Sequence, residues 1–402
     1  MGKSIKQKLM EVMPLVILNI GLPTGDVFSD ILTIITLYMS EHPYFATALL
    51  TPFLFNVVFT TFSWWRIDSN KEKKWTWILL LLQLWPQYRA MKIIFKIFKG
   101  DPSYVNEKNT LERDVSILEP FLESVPTVWI TTVILAKQAE PENNYALGKD
   151  VTIFITSFTL SVISSSIGIT KFLKVGPCKI FPEGGSCLGY LTGRFMMVFI
   201  AVACSVVNKG LMVSSHLLIN VGPGPSRGLM STTGVILCFL VVNILPNLLW
   251  SIVLVSIPLR NMKRVFLTLK TYPQIFLVAM FTPFAFGAKT ISCRNCPETA
   301  SGRITFTKQG TVVNLIITVT SFVITESLYL YDDLKGRPLW YVFVPPAIII
   351  LILQTILTIA IMINSECCCG SRNQECCALQ YHYLSVPTGT QNTNEVFEFG
   401  VI

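Results

Sequence analysis

Ten apolar runs, most of them close to the length that crosses a bilayer, divide this chain from one end to the other. A helix needs about 20 apolar residues to span the hydrocarbon of a membrane. The runs are Leu9–Met39, Pro43–Trp65, Trp75–Phe98, Leu111–Leu135, Val151–Phe172, Leu188–Val207, Leu229–Ile257, Tyr272–Ala288, Val312–Tyr331 and Leu339–Ile363. Lipid offers no hydrogen bonds, so backbone polar groups must pair within the segment, and all ten are expected to be helical. Only 14% of the residues are charged, fewer than a soluble domain of this length carries. No polar stretch is long enough for a separate globular domain. The apolar character of Met13–Ile20 resumes after Asp30, so the chain reads as starting with a span rather than a leader peptide.

Basic residues mark the cytoplasmic side of a membrane protein. They crowd the start (Lys3, Lys6, Lys8), the second connection (Arg66, Lys71, Lys73, Lys74) and the fifth (Lys171, Lys174, Lys179). They also crowd the seventh (Arg260, Lys263, Arg264, Lys270) and the eighth (Lys289, Arg294, Arg303, Lys308). The third carries Lys99, Lys108 and Arg113. Ten full crossings cannot put all of these on one side. The conflict disappears if the third and eighth segments enter and leave on the same side. Pro86, Arg89, Lys92 and Lys96 interrupt the third; the eighth is short and carries Pro273 and Pro283. The expected fold is an all-α polytopic membrane protein with eight transmembrane helices and two re-entrant segments. Both termini lie in the cytoplasm. The odd segment is third of five in each half, which suggests two parallel five-segment repeats. In domain terms, residues 1–8 form a cytoplasmic tail and 9–172 a first membrane repeat. Residues 173–187 form a cytoplasmic connection, 188–363 a second repeat, and 364–402 a cysteine-rich cytoplasmic tail.

Charges at bilayer depth are costly and are functional candidates by default. Asp26 and Asp30 lie one helical turn apart, on one face of the first segment, just after Gly21, Pro23 and Gly25. Glu119 and Glu123 repeat that spacing in the fourth, beside Pro120 and Pro126. Arg89, Lys92 and Lys96 share a face of the third. Arg194 opens the sixth, and Glu326 lies deep in the ninth, the counterpart of the fourth. Acids and bases spread over several helices suit a ligand bearing both a phosphate and an amine. A pore for one ion would more naturally show a ring of one sign. The alternative is a packed ion-pair core, in which Arg89, Lys92 and Arg194 neutralise the acids.

Cys367, Cys368, Cys369, Cys376 and Cys377 follow the last segment directly and are candidates for palmitoylation. Cys293 and Cys296 form a C-x-x-C in the eighth connection, and Cys178 and Cys187 lie in the fifth; unpaired thiols are expected at all four. His42, His216 and His382 are scattered. No metal, cofactor or enzymatic role is expected. There is no Gly-rich phosphate loop for ATP-driven pumping. Loops facing anionic lipid account for the net charge of +8, and no nucleic-acid partner is needed.

Several of these residues sit in a recognisable frame. Asp26-Val-Phe-Ser-Asp30, Phe62-Ser-Trp-Trp-Arg66 and Leu82-Gln-Leu-Trp-Pro-Gln-Tyr-Arg89 resemble stretches of the XK-related family. So does Leu118-Glu-Pro-Phe-Leu-Glu-Ser-Val-Pro126, although Thr127 replaces the usual Gln, and so does Arg194 with the apolar run behind it. The match covers about Asp26 to Phe195 closely and the rest by segment order. The resemblance implies eight spans, two re-entrant segments and, in some members, phospholipid scrambling without ATP that exposes phosphatidylserine at the plasma membrane. In the best-understood members a caspase cuts a terminal tail. No aspartate lies beyond Asn364 or before Asp26, so that trigger does not carry over. Some relatives are partners of another membrane protein. The expected function is therefore energy-independent scrambling along the charged stripe, with membrane phospholipids as partners. The alternatives are an ion channel or secondary transporter, and a non-transporting subunit.

Overall fold

The computed structural model describes residues 4–40, 42–67, 78–79, 83–105, 107–108, 111, 120–138, 151–175, 193–221, 237–259, 273–290, 302–333 and 340–364. The chain opens with α1 (Ile5–Val16), started by a capping box in which Ser4 and Gln7 exchange hydrogen bonds. A five-residue π turn, Ile17–Gly21, joins it directly to α2 (Leu22–Met39). α3 (Pro43–Ile67) and α4 (Trp85–Lys99) follow. A second π turn, Pro120–Ser124, opens α5 (Val125–Gln138), and α6 is Val151–Val175. The second half runs through α7 (Gly193–Val221), a third π turn (Leu240–Ile244), α8 (Leu245–Leu259) and α9 (Pro273–Phe281). Strands β1 (Phe286–Thr290) and β2 (Gly302–Phe306) precede α10 (Lys308–Asp333) and α11 (Trp340–Asn364).

The protein is a helical, multi-pass membrane protein. Among the described residues six helices are long and apolar enough to cross a membrane: Ile5–Met39, Val151–Lys171, Phe195–Ser215, Leu237–Ser256, Lys308–Leu328 and Val344–Ile363. Pro43–Phe59 and Pro120–Leu135 are shorter apolar helices. Among the described residues the third and eighth segments form neither. Helix α4 has 15 residues, about 22 Å at 1.5 Å per residue, and α9 has 9 residues, about 13 Å. Both fall short of the ~30 Å hydrocarbon core.

Helix α4 runs antiparallel along α1. Lys8 Nζ donates to the Phe98 carbonyl (2.8 Å) and Tyr104 Oη to Glu11 (3.0 Å). Further in, Val12 and Leu15 pack against Ala90, Ile93 and Ile97. The N-terminal end of α4 follows a reversal at Gln83, whose φ of 55° is left-handed, and Gln83 Nε2 reaches the Phe53 carbonyl of α3 at 3.4 Å.

Helix α7 is the hub, packed against α5, α6, α9, α10 and α11. Its core joins Val198, Val202 and Val206 to Val128 of α5, Ile169 of α6 and Ile361 of α11. Neighbour relations recur between halves. The first half packs its segments one on five, four on five, two on four and one on three; the second packs six on ten, nine on ten, seven on nine and six on eight.

Two expectations are corrected here. The sixth segment does not end at Val207 but continues as helix to Val221, because the buried Asn208 and Lys209 point into the bundle rather than toward an end. The ten segments are not wholly helical either. Past Thr282 and Pro283 the chain turns into an antiparallel hairpin, pairing Phe286 with Phe306 and Thr290 with Gly302. Pairing between strands satisfies the backbone where a proline has stopped the helix. The hairpin lies against α8, and a side chain at Gly287 would meet the Leu254 carbonyl at 3.3 Å.

Candidate functional site

Three acids gather where α2, α3, α6 and the second π turn meet. Asp26 and Asp30 project from one face of α2, and both are buried. Their ligands are hydroxyls. Ser161 Oγ donates to Asp26 Oδ1 at 2.8 Å and lies 3.5 Å from Asp30 Oδ1. Ser124 Oγ donates to Asp26 Oδ2 (3.0 Å) and Ser157 Oγ to Asp30 Oδ1 (2.6 Å). Ser164 and Thr127 add further hydrogen bonds to Asp26 and Asp30 respectively. Ser157, Ser161 and Ser164 recur at three- and four-residue steps, so α6 presents a hydroxyl face to the acid pair. Glu123, next to Ser124 in the π turn, is buried and accepts from Asn56 Nδ2 of α3.

Among the described residues no cation pairs with Asp26 or Asp30. The ion-pair core expected as an alternative is not seen at these two acids among the described residues. Buried carboxylates held by neutral donors need strong hydrogen bonding to persist, and the serines supply it. Among the described residues they bring no counter-charge to the pair.

The expected bases are spread out. Arg89 is half-buried on α4. Lys92 is exposed and lies 4.7 Å over the Tyr88 ring. Lys96 pairs with Glu107 at 2.5 Å. Arg194 occupies the first turn of α7. Glu119 and the cysteines Cys178, Cys187, Cys293, Cys296, Cys367, Cys368, Cys369, Cys376 and Cys377 lie outside the described residues, as does the side chain of Arg194.

Glu326 belongs to a second polar region. Both its oxygens accept from Ser215 Oγ of α7, at 3.0 and 3.3 Å. Beside it, Asn243 Nδ2 of the third π turn donates to Thr325 Oγ1 at 3.4 Å. Thus a buried asparagine of segment two meets the acid of segment four, and one of segment seven meets the neighbour of the acid of segment nine.

Sequence reasoning missed two buried lysines. Lys171 of α6 donates to the Leu18 carbonyl (2.9 Å) and to Asn19 Oδ1 (2.7 Å) in the first π turn. It is not a connection residue, as expected, but part of the packed bundle. Lys209 of α7, also buried, donates to the Asn243 carbonyl at 3.0 Å in the third π turn. A π turn breaks the regular i→i−4 ladder and frees carbonyls. In each half, a lysine from the neighbouring helix reaches one of them. The available signal was Asn208-Lys209 between apolar runs, read instead as the end of a segment.

No curated protein matches the chain. The family model described as XK-related protein matches residues 15–203, a stretch that contains the acid pair, its serine face, Glu123 and Lys171. Over those residues the chain is similar to the XK-related family.

Proposed function

We propose that this protein scrambles phospholipids between the two leaflets without ATP, along the polar seam between α2, α6 and the second π turn. One observation carries the reading. Asp26 and Asp30 lie inside a membrane span, held only by hydroxyls among the described residues. An acid pair at that depth is poised for the amine of a lipid head group. The serines can re-aim their hydroxyls as the head group passes. Glu123 extends the acidic side, and Arg89 and Arg194 are the proposed receivers of phosphate. The eight-crossing topology, cytoplasmic termini, plasma-membrane location and palmitoylated tail belong to the same reading. The short α4, turned at Gln83 and lying along α1, supports re-entry of segment three.

The test is fluorescent-lipid exchange in liposomes holding the full-length chain. Wild type is expected to exchange lipid, and a folded Asp26→Asn/Asp30→Asn variant to lose that exchange at least tenfold. Exchange at the wild-type rate in the variant, or none in wild type, would sink the proposal. Ionic current without lipid exchange would favour a channel instead.

A further inference from the structure

The third π turn and α8 have two unlike sides. Asn243, Asn247 and Ser251 succeed one another at four-residue steps and are fully buried, whereas Leu240, Val241, Leu245 and Leu249 are exposed. This helical segment therefore stands between lipid and a polar interior. The amides inside are not consumed by packing. Among the described residues both polar atoms of Asn247 lack a hydrogen-bond partner, as do both of Asn208 on α7 and both of Gln354 on α11. Buried polar groups in folded proteins are almost always satisfied, so orphans of this kind mark an occupant.

Lys209 lies among them. It is 2% exposed, and its ammonium carries three donors. Among the described residues its partner is one neutral carbonyl, that of Asn243. Packing brings the groups to one depth. Met212 sits with Ala347 and Leu351 in one cluster, and Phe195 with Ile361 in another, so α7 and α11 run antiparallel. Asn208 is one turn from Met212, and Gln354 one turn from Leu351 in the matching direction. Asn247 is one turn from the carbonyl that holds Lys209.

We infer that this interior of the second half binds the phosphate of a phospholipid head group, with Lys209 as its cation and the amides of Asn208, Asn247 and Gln354 as donors. An anion supplies the missing counter-charge and accepts from several N–H groups at once. This deepens the scrambling reading and rests on it.

The test measures thermal unfolding of the purified full-length chain in detergent, with added dioleoyl phosphatidylcholine or a phosphate-free glycolipid of matched chains. Phospholipid is expected to stabilise wild type more than glycolipid does. That difference should vanish in Lys209→Gln, persist in Lys209→Arg and fall in Asn247→Leu, which keeps the branched heavy-atom shape and removes an orphan amide. Equal responses to the two lipids in wild type, or a difference that survives in both Lys209→Gln and Asn247→Leu, would overturn the site. Inorganic phosphate reproducing the whole shift would overturn the lipid as its source. A lipid-specific shift without scrambling in liposomes would sink the transport reading and leave the site standing. Should Lys209→Gln not fold, Asn247→Leu decides.

Discussion

Ser161 shares one hydroxyl between two carboxylates, and that sharing makes it the residue whose loss is felt most locally. Ser161→Ala leaves Asp26 short of a donor in a buried site. It is expected to destabilise the protein by about 1–3 kcal/mol, read as a lower unfolding midpoint in detergent. Thr159→Ala is the control, since Thr159 is exposed and bonds only back to the Ile155 carbonyl; its midpoint should stay within ~0.5 kcal/mol of wild type. Lys171→Met removes the donor from the Leu18 carbonyl and from Asn19. The expected result is lower yield of folded protein, and rescue by Lys171→Arg. At this scale the sequence was informative where a charge stood out against apolar neighbours. Asp26 and Asp30 were legible for that reason. The serine face was not, because small hydroxyl residues are common in membrane helices and satisfy themselves on their own backbone, as Thr156 and Thr159 do. Lys209 was hidden by a boundary. Read as closing a segment, it looked like ordinary solvated charge.

Among elements, α4 ends with Gly100 in the left-handed region at φ 77°, where its N–H bonds to the Ile97 carbonyl and that of Asp101 to Lys96. Gly100→Ala is expected to cost about 1 kcal/mol, measurable in the same melts. The Asp101 carboxylate just beyond is held below its ordinary range by the Ser103 N–H. The small stability it lends is present at neutral pH and fades as pH falls through the lowered value. The π turns are a different kind of feature, each one residue longer than an α-helical turn. Deleting the lipid-facing Val241 from Leu240–Ile244 would take out the extra residue and restore α-helix with the flanking faces kept in register. The Asn243 carbonyl that Lys209 uses would return to the helical ladder, and the expected outcome is folded protein with a lower unfolding midpoint in detergent. These turns explain why helix existence was legible while helix faces were not. Periodicity slips out of phase at each π turn, and no composition signal marks the slip. The β1–β2 hairpin was illegible for another reason: Phe286 to Ala288 is as apolar as the helix before it, and only the pairing with Gly302–Phe306 distinguishes a strand.

Across the whole molecule, four neighbour relations of the first half reappear in the second, in line with the repeat that charge placement suggested. If segment three re-enters, cysteines placed at Ser69 and Ser103 in a cysteine-depleted background will be labelled from the same side by an impermeant reagent. Labelling from opposite sides would make it a full span and rule out the eight-crossing scheme. The halves meet where α5 crosses α7. There Trp129 lies 5.6 Å from Phe239 and 5.5 Å from Phe281, ring centre to ring centre. A methyl group at Gly210 would come within 3.1 Å of Thr132 Oγ1 and 3.3 Å of Trp129. The crossing has no clearance. The halves also pack through Val198, Val202 and Val206 of α7 against Val128 of α5 and Ile169 of α6, so they are held along a seam whose tightest point is Gly210. A zip closed along its length is forced apart first where it is tightest, and Gly210→Val would wedge the seam at that point while leaving the core of each half intact.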